Sequence, residues 1–159
     1  VGDEAARAAD RTAMLVTIGG NRSRLQTHRD LRERICFIPT LIHPSAVVSP
    51  HATIGAGSVV MANAVINAGA RIGEAVIVNT AATIDHDCCL ADGVHVSPGA
   101  HLAGSVDIGE ASWIGVGSAI REGIVIGADV VVGAGAAVVA DIEDRLMAAG
   151  VPATVRKGK

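Results

Sequence analysis

The sequence predicts an all-β solenoid, a parallel β-helix in which each short strand advances the chain by six residues. The main observation is an aliphatic residue at every sixth position from Ile42 to Val138, seventeen positions without a slip. A small residue follows four positions after most of these, as at Ala64, Ala82 and Cys88. Half of the 159 residues are apolar, yet there is one Phe, one Trp and no Tyr. The core must therefore be built from Val, Ile, Leu and Ala, which suits stacked β-branched side chains.

Each hexad is expected to form one side of a triangular coil, with its aliphatic and small residues pointing inwards. Gly, Asn or Asp stands one or three residues after most aliphatic positions, where the corners need tight or left-handed backbone. Three hexads make an 18-residue coil, and residues 42–143 supply between five and six coils. A lone coil buries too little apolar surface to offset its ordering entropy, so stacking must stabilise the fold.

The two ends of the chain leave this rhythm. Residues 1–41 are predicted to be a small, partial Rossmann-like α/β segment: a strand at Ala13–Ile18, a helix at Arg22–Arg34 and a strand at Ile35–Ile38. Residues 144–159 are predicted to cap the open edge of the last coil.

Two glycines, Gly19 and Gly20, stand between the predicted strand and helix. With Arg22 or Arg24 they form a weak candidate for phosphate binding, because no GxGxxG pattern follows a strand.

Composition excludes several classes of partner. The net charge of -3 gives no electrostatic reason to expect nucleic acid or an anionic membrane. No apolar stretch is long enough to cross a membrane. The three cysteines include the adjacent pair Cys88 and Cys89, which cannot readily form a disulfide, and this favours a reducing cytoplasm.

The candidate catalytic residue is His86, which stands at a corner position between Asp85 and Asp87. The 18-residue coil places the small residues Ala68 and Gly104 below and above it, which predicts open space beside the imidazole and an accessible Gly104 N–H. Acyl transfer from a thioester needs a general base and an oxyanion donor, and His86 and this amide fit those roles. Either neighbouring carboxylate could fix the imidazole tautomer. The acceptor can attack the thioester directly, so the enzyme needs no nucleophilic residue of its own. Cys88, at an inward repeat position, is therefore interpreted as a core residue.

Four runs resemble the sialic acid O-acetyltransferase family of hexapeptide-repeat sugar acetyltransferases: IHPSAVV at 42–48, NTAATIDHD at 79–87, HVSPGAHLAG at 95–104 and GVPA at 150–153. That family includes enzymes that N-acetylate nucleotide-linked 4-amino sugars of the bacillosamine and perosamine type. The resemblance implies left-handed coils, a homotrimer, acetyl-CoA as co-substrate, no metal, and a nucleotide-linked amino sugar as acceptor. It also implies that His86 is the base and Asp87 its partner.

The resemblance assigns further site residues. It implies that Asn79 and His95 line the site and that the Gly104 amide contacts the acetyl thioester. Coenzyme A is then expected in a cleft between two subunits, where it also contacts Val116, Gly133 and Ala134. Family members begin with a complete Rossmann-like domain, whereas this sequence matches only its later part. Either the earlier part of that domain is missing from the sequence at hand, or the nucleotide site is incomplete.

Three alternatives remain open at this level. O-acetylation of a sialic-acid-like sugar would use the same site residues. A γ-type carbonic anhydrase would bind zinc through three histidines, but His86, His95 and His101 are separated by 9 and 6 residues, so no pair is a whole coil apart. A non-enzymatic scaffold would turn over no acetyl-CoA.

Overall fold

A computed structural model describes residues 13–34 and 37–156 and contains one helix and nineteen strands in this part of the chain. The helix, α1, spans Asn21–Arg32. The strands are β1 Leu41–Ile42, β2 Val47–Val48, β3 Thr53–Ile54, β4 Val59–Val60, β5 Val65–Ile66, β6 Arg71–Ile72, β7 Ile77–Val78, β8 Thr83–Ile84, β9 Cys89–Leu90, β10 His95–Val96, β11 His101–Leu102, β12 Asp107–Ile108, β13 Trp113–Ile114, β14 Ala119–Ile120, β15 Val125–Ile126, β16 Val131–Val132, β17 Ala137–Val138, β18 Met147–Ala149 and β19 Thr154–Arg156.

Up to β17, every third strand pairs in parallel with partners 18 residues apart, as in Leu41↔Val59 and His95↔Trp113. Three sheets result: face A (β1, β4, β7, β10, β13, β16, β18, β19), face B (β2, β5, β8, β11, β14, β17) and face C (β3, β6, β9, β12, β15). The architecture is the predicted left-handed parallel β-helix. We name its edges by the faces they join: the chain passes from A to B at the AB corner, from B to C at the BC corner and from C to A at the CA corner.

The predicted aliphatic positions are the second residues of strands β1 to β17. From Val60 to Val138 each is at most 4% exposed, whereas Ile42, at the uncovered end of the stack, is 48% exposed. The third residue after each aliphatic position turns the corner, and all fourteen such residues from Gly57 to Gly135 have positive φ. This backbone requirement explains why Gly, Asn and Asp recur there.

The amino-terminal prediction was right for the helix and wrong for its first strand. Helix α1 matches the predicted Arg22–Arg34 within two residues, but residues 13–18 form no strand. Among the described residues this extended segment has no strand partner, and its Val16, which is 7% exposed, lines a cavity together with Val59 and Ile77 of face A. In the second predicted strand, Ile35 and Cys36 lie outside the described residues, and Phe37 and Ile38 have no strand structure.

Helix α1 lies along the CA corner, where successive coils present Glu74, Asp92 and Glu110 at 18-residue intervals. Arg32 pairs with Glu74, and Arg29 pairs with both Asp92 and Glu110. The helix rises about 5.4 Å per turn and coils stack about 4.8 Å apart, so basic residues one turn apart meet acids on neighbouring coils.

Arg22 and Arg24 are both engaged by the protein itself. Arg22 pairs with Glu110 and Asp129, and the buried Arg24 guanidinium donates to the carbonyls of Ala75 (2.8 Å) and Gly93 (2.7 Å). These contacts leave neither arginine for the weak phosphate site considered at Gly19 and Gly20.

The carboxyl-terminal coil is shortened by two residues. Ile142 bridges Ile126, and Ala148 pairs with Val132, so the spacing falls from 18 to 16. Strand β19 then pairs antiparallel with β18 at the end of face A. Within the described residues, no helix has the length and apolarity needed to cross a membrane.

Candidate active site

The backbone of His86 is fixed between two coils at the BC corner. The His86 carbonyl accepts from Ser105 N in the coil above at 2.8 Å, and Asp87 N donates to Ala68 O in the coil below at 3.0 Å. The His86 N–H donates to Asp85 Oδ1 at 2.8 Å. A side chain carried by such a corner has a fixed origin and direction, which a general base requires.

Asp87 is the carboxylate that orients the imidazole. Its Oδ2 lies 2.9 Å from His86 Nδ1, and since a carboxylate only accepts, Nδ1 carries the proton. The neutral ring therefore presents an unprotonated Nε2. The left-handed backbone of Asp87 (φ 58°) directs the carboxylate, and a Cβ on Gly69 below would clash with Asp87 Oδ1. Gly69 was missed by sequence reasoning, although the 18-residue stacking rule that found Gly104 would have found it.

Gly104 supports the ring rather than leaving open space beside it. A Cβ at this position would lie 2.5 Å from both Cε1 and Nε2 of His86, so the imidazole occupies the volume that any larger residue would need. Gly104 stacks against His86 as the 18-residue spacing predicts, but the expected open space is filled by the ring itself. Within the described part of the chain, the Gly104 N–H donates no hydrogen bond, so it is free to bind a ligand.

The local charges favour protonation of His86. Its hydrogen bond to Asp87, followed by the negative charge of Asp85, raises the pKa of the imidazole above its ordinary value. The side chains of His86 and Asp87 are 60% and 64% exposed, so the base is open to substrate.

Cys88 is a core residue, as interpreted from its repeat position. It is fully buried, and its Sγ donates to Ala103 O at 3.1 Å. Burial raises the pKa of this thiol, which keeps it protonated and unreactive.

The predicted residues Asn79 and His95 lie together at a different place, at the AB corner and the adjoining face A. Asn79 Oδ1 accepts from Thr80 N at 2.8 Å, which leaves its Nδ2 to donate to His95 Nε2 at 3.1 Å. Trp113, one coil above, stacks on His95 with 5.0 Å between ring centroids and donates from Nε1 to Ser97 Oγ. Sequence reasoning missed Trp113, although it stands 18 residues after His95.

His95 is neutral in this environment. It is 9% exposed, and burial together with the nearby Arg24 charge lowers its pKa to about 4. A neutral ring is also what the Asn79 contact needs, because a protonated imidazole has no nitrogen that can accept.

The structure thus divides the predicted site residues into two groups. His86, Asp87 and Gly104 are at the BC corner. The AB corner carries Asn79 and, in later coils, the half-buried Gly133 and the exposed residues Val116 and Ala134. One protomer displays both groups on different edges of the prism.

No group of three or more His, Cys, Asp or Glu within the described residues could hold a metal ion. His86, His95 and His101 lie at the BC corner, on face A and on face B. This arrangement offers no support within a protomer for the three-histidine zinc site of a carbonic anhydrase.

A β-helix of six-residue repeats with a His–Asp pair at one corner defines a hexapeptide-repeat acyltransferase, and solved structures specify which kind. The acetyltransferase domain of PglB from Neisseria gonorrhoeae, solved with acetyl coenzyme A, is 50% identical over 91% of this chain and 70% of its own, with a TM-score of 0.89. Perosamine N-acetyltransferase from Caulobacter crescentus is 42% identical over 97% of this chain and 73% of its own, with a TM-score of 0.93. The chain belongs to this family of bacillosamine- and perosamine-type sugar N-acetyltransferases.

A more distant relative, WeeI from Acinetobacter baumannii, has a TM-score of 0.88 at 24% identity over 97% of this chain and 75% of its own, and supports the fold alone. A scan of family models and a search of curated proteins gave no match.

Proposed function

We propose that this protein transfers the acetyl group of acetyl-CoA to the amino group of a nucleotide-linked amino sugar, with His86 as the general base. The observation that carries the proposal is the His86–Asp87 pair: Nδ1 is held by the carboxylate at 2.9 Å, so that in the neutral ring Nε2 is the nitrogen that can accept a proton, and the side chain stands at an exposed corner. That geometry suits removal of a proton from an attacking amine.

The reaction needs only direct attack. The amine nitrogen forms a bond to the thioester carbonyl carbon, and His86 Nε2 takes the proton that the nitrogen releases. The carbon–sulfur bond then breaks, and the sulfur leaves with a proton returned from the imidazolium. Asp87 stabilises the imidazolium in between. The Gly104 N–H is our candidate donor to the carbonyl oxygen as it becomes negative.

The relatives support this choice of substrates. The Neisseria domain was solved with acetyl coenzyme A, and the Caulobacter enzyme was solved with CoA and GDP-perosamine. Two of the Caulobacter structures are variants in which a histidine is replaced by asparagine or alanine. For this chain, the sugar and its nucleotide are part of the proposal.

A homotrimer would unite the two groups of site residues. In a threefold ring that turns face B towards the axis, the BC corner of one subunit meets the AB corner of the next. His86, Asp87 and Gly104 of one subunit would then face Asn79, Val116, Gly133 and Ala134 of its neighbour, with His95 on the adjoining face A. We propose that acetyl-CoA lies in this cleft.

The outer surface of face B suits contact around an axis. Its outward positions carry no Asp, Glu, Lys or Arg: Val47, Val65, Thr83, His101, Ala119 and Ala137. Helix α1 lies on the CA corner, opposite face B, so it would not obstruct the ring.

We also place the reaction in the cytoplasm, because Cys88 and Cys89 are both free thiols.

The proposal is tested by release of free thiol from acetyl-CoA against UDP- and GDP-linked 4-amino sugars, with free sialic acid as the O-acetylation arm. We expect turnover with at least one amino sugar and none with sialic acid. His86→Ala should lower kcat by about 100-fold or more without unfolding, the usual effect of losing a general base. Near-normal turnover in a folded His86→Ala protein would remove His86 from the mechanism, and turnover with sialic acid alone would replace N- by O-acetylation.

A further inference from the structure

A second contact network reaches His86 through its backbone. Asp85 Oδ1 accepts the His86 N–H at 2.8 Å, and the same oxygen accepts Asn67 Nδ2 at 2.8 Å. Asn67 stands in the coil below, 18 residues before Asp85, and its side chain is exposed. The Asp85 carboxylate is therefore held between its own chain and the neighbouring coil, although it makes no contact with the imidazole itself.

We propose that Asn67 and Asp85 form a positioning pair for the general base, in which Asn67 fixes the Asp85 carboxylate and the carboxylate fixes the His86 peptide and adds negative charge beside the ring. The role differs from that of Asp87, which touches the imidazole. This inference rests on the proposed function, because positioning a base matters only if His86 is one.

The charges around the corner make Asp85 distinctive. The coil below presents Asn67, Ala68 and Gly69, and the coil above presents Ala103, Gly104 and Ser105, all uncharged. The next charged residues along this corner are Arg121 and Glu122, which lie two coils away and carry charges of opposite sign to each other. Although Arg71 and Asp107 flank Cys89 on the adjoining face C, the negative charges that raise the pKa of the ring are those of Asp87 and Asp85.

The pKa shifts of Asp85 and His86 agree with this geometry. The Asn67 hydrogen bond, followed by that from the His86 backbone, lowers the pKa of Asp85, so the carboxylate is fully ionised at neutral pH. Its charge is the second contribution, after the Asp87 hydrogen bond, to the raised pKa of His86.

Two substitutions separate charge from geometry. Asp85→Asn keeps an oxygen that can accept from Asn67 and the His86 N–H but removes the charge, whereas Asp85→Ala removes both. Asp107→Asn is the matched control, since Asp107 is an exposed carboxylate on face C and its loss changes the net charge equally. Asn67→Ala removes the support from the lower coil alone.

The test begins without substrate. In protein carrying isotope-labelled histidine, the His86 resonance is identified by its loss in His86→Gln and titrated in each variant. We expect the pKa of His86 in Asp85→Asn to be about half a pH unit below that in Asp107→Asn, the size of a unit-charge interaction across several ångströms of solvent. Exchange of the His86 amide hydrogen should accelerate in Asp85→Ala and Asn67→Ala but not in Asp85→Asn.

The kinetic arm uses the acceptor found in the thiol-release assay. Asn67→Ala should lower kcat roughly threefold, the effect of losing one exposed hydrogen bond, with KM unchanged. An Asp85→Asn titration equal to that of Asp107→Asn, or unchanged His86 amide exchange in Asn67→Ala, would overturn the proposal. These readouts need no turnover, so they decide the positioning pair even if no acceptor sugar is found.

Discussion

At the scale of single residues, the BC corner depends on two glycines whose missing side chains make room for the reactive pair. The His86 ring fills the volume where a Gly104 Cβ would stand, and the Asp87 carboxylate fills the volume where a Gly69 Cβ would stand. Gly69 also has positive φ, so a substitution there changes backbone strain as well as space. Gly104 has no such backbone demand, which makes it the cleaner test of ring placement.

We predict that Gly104→Ala lowers kcat at least tenfold while the protein remains folded. The new methyl group, 2.5 Å from Cε1 and Nε2, must displace the imidazole, and a displacement of about 1 Å costs up to about 100-fold in rate. Gly19→Ala is the control, because a Cβ there meets nothing within 4 Å. Wild-type kcat in Gly104→Ala would show that packing of the His86 ring against Gly104 does not matter for catalysis. Thermal unfolding of both variants checks that the fold is intact.

The second residue-scale prediction concerns His95, which Trp113 can report because it is the sole tryptophan. We expect Trp113 fluorescence to be quenched as His95 is protonated, with a midpoint near pH 4, where the pKa of His95 lies, and His95→Gln to abolish this transition. In the native state His95 stays neutral down to about pH 4, whereas in the unfolded chain the same imidazole takes up a proton near pH 6.5. Stability should therefore fall as pH falls from about 6.5 to 4. A fluorescence midpoint near 6.5 would contradict the buried, neutral assignment.

At the scale of elements, α1 is held by a buried guanidinium and a ladder of surface ion pairs, and these contribute unequally. Arg22, Arg29 and Arg32 are about half exposed, so their pairs are each worth little in water. Arg24 is 1% exposed, and burial lowers its pKa to about 10, yet the group stays charged at pH 7 because backbone carbonyls surround it. We infer that Arg24 is the principal anchor of the helix.

Arg24→Met tests this anchor. The substitution keeps most of the volume but leaves the Ala75 and Gly93 carbonyls without their donor, at a cost of roughly 1–3 kcal/mol for each. We expect amide hydrogens of residues 21–32 to exchange faster while those of the coils keep their protection. The exposed Arg34→Met is the control. Equal protection of α1 in both variants would assign its docking to the apolar and ionic contacts instead.

The repeat was predictable because each hexad repeats one local rule, whereas contacts between dissimilar elements follow no period. The rule placed every aliphatic position from Ile42 to Val138 and set Gly104 against His86. It could not place α1, whose Arg22 meets Asp129 across 107 residues of sequence. The strand expected at 13–18 is absent for a related reason: its β-branched and aliphatic residues suit a strand, but none of the strands in the described part of the chain pairs with it.

At the scale of the whole molecule, the proposed homotrimer would build each active site from residues of two subunits. His86 and Asn79 belong to different corners of one prism, and a cyclic arrangement that joins unlike corners makes each site from two copies of the chain. Residues from the two groups should then be able to complement one another across subunits.

We predict that the proteins His86→Ala and Asn79→Ala, each nearly inactive alone, regain activity when mixed, unfolded and refolded together. A site is intact only if an Asn79→Ala subunit supplies the BC corner and a His86→Ala subunit supplies the AB corner. Random assembly at equal amounts gives about one quarter of the sites this composition. Recovery should therefore reach about a quarter of wild-type kcat per chain, in a species that sediments as a trimer. If the refolded mixture sediments as trimers but stays as inactive as its parents, the site lies within one subunit. If it sediments as monomers, the threefold ring is ruled out.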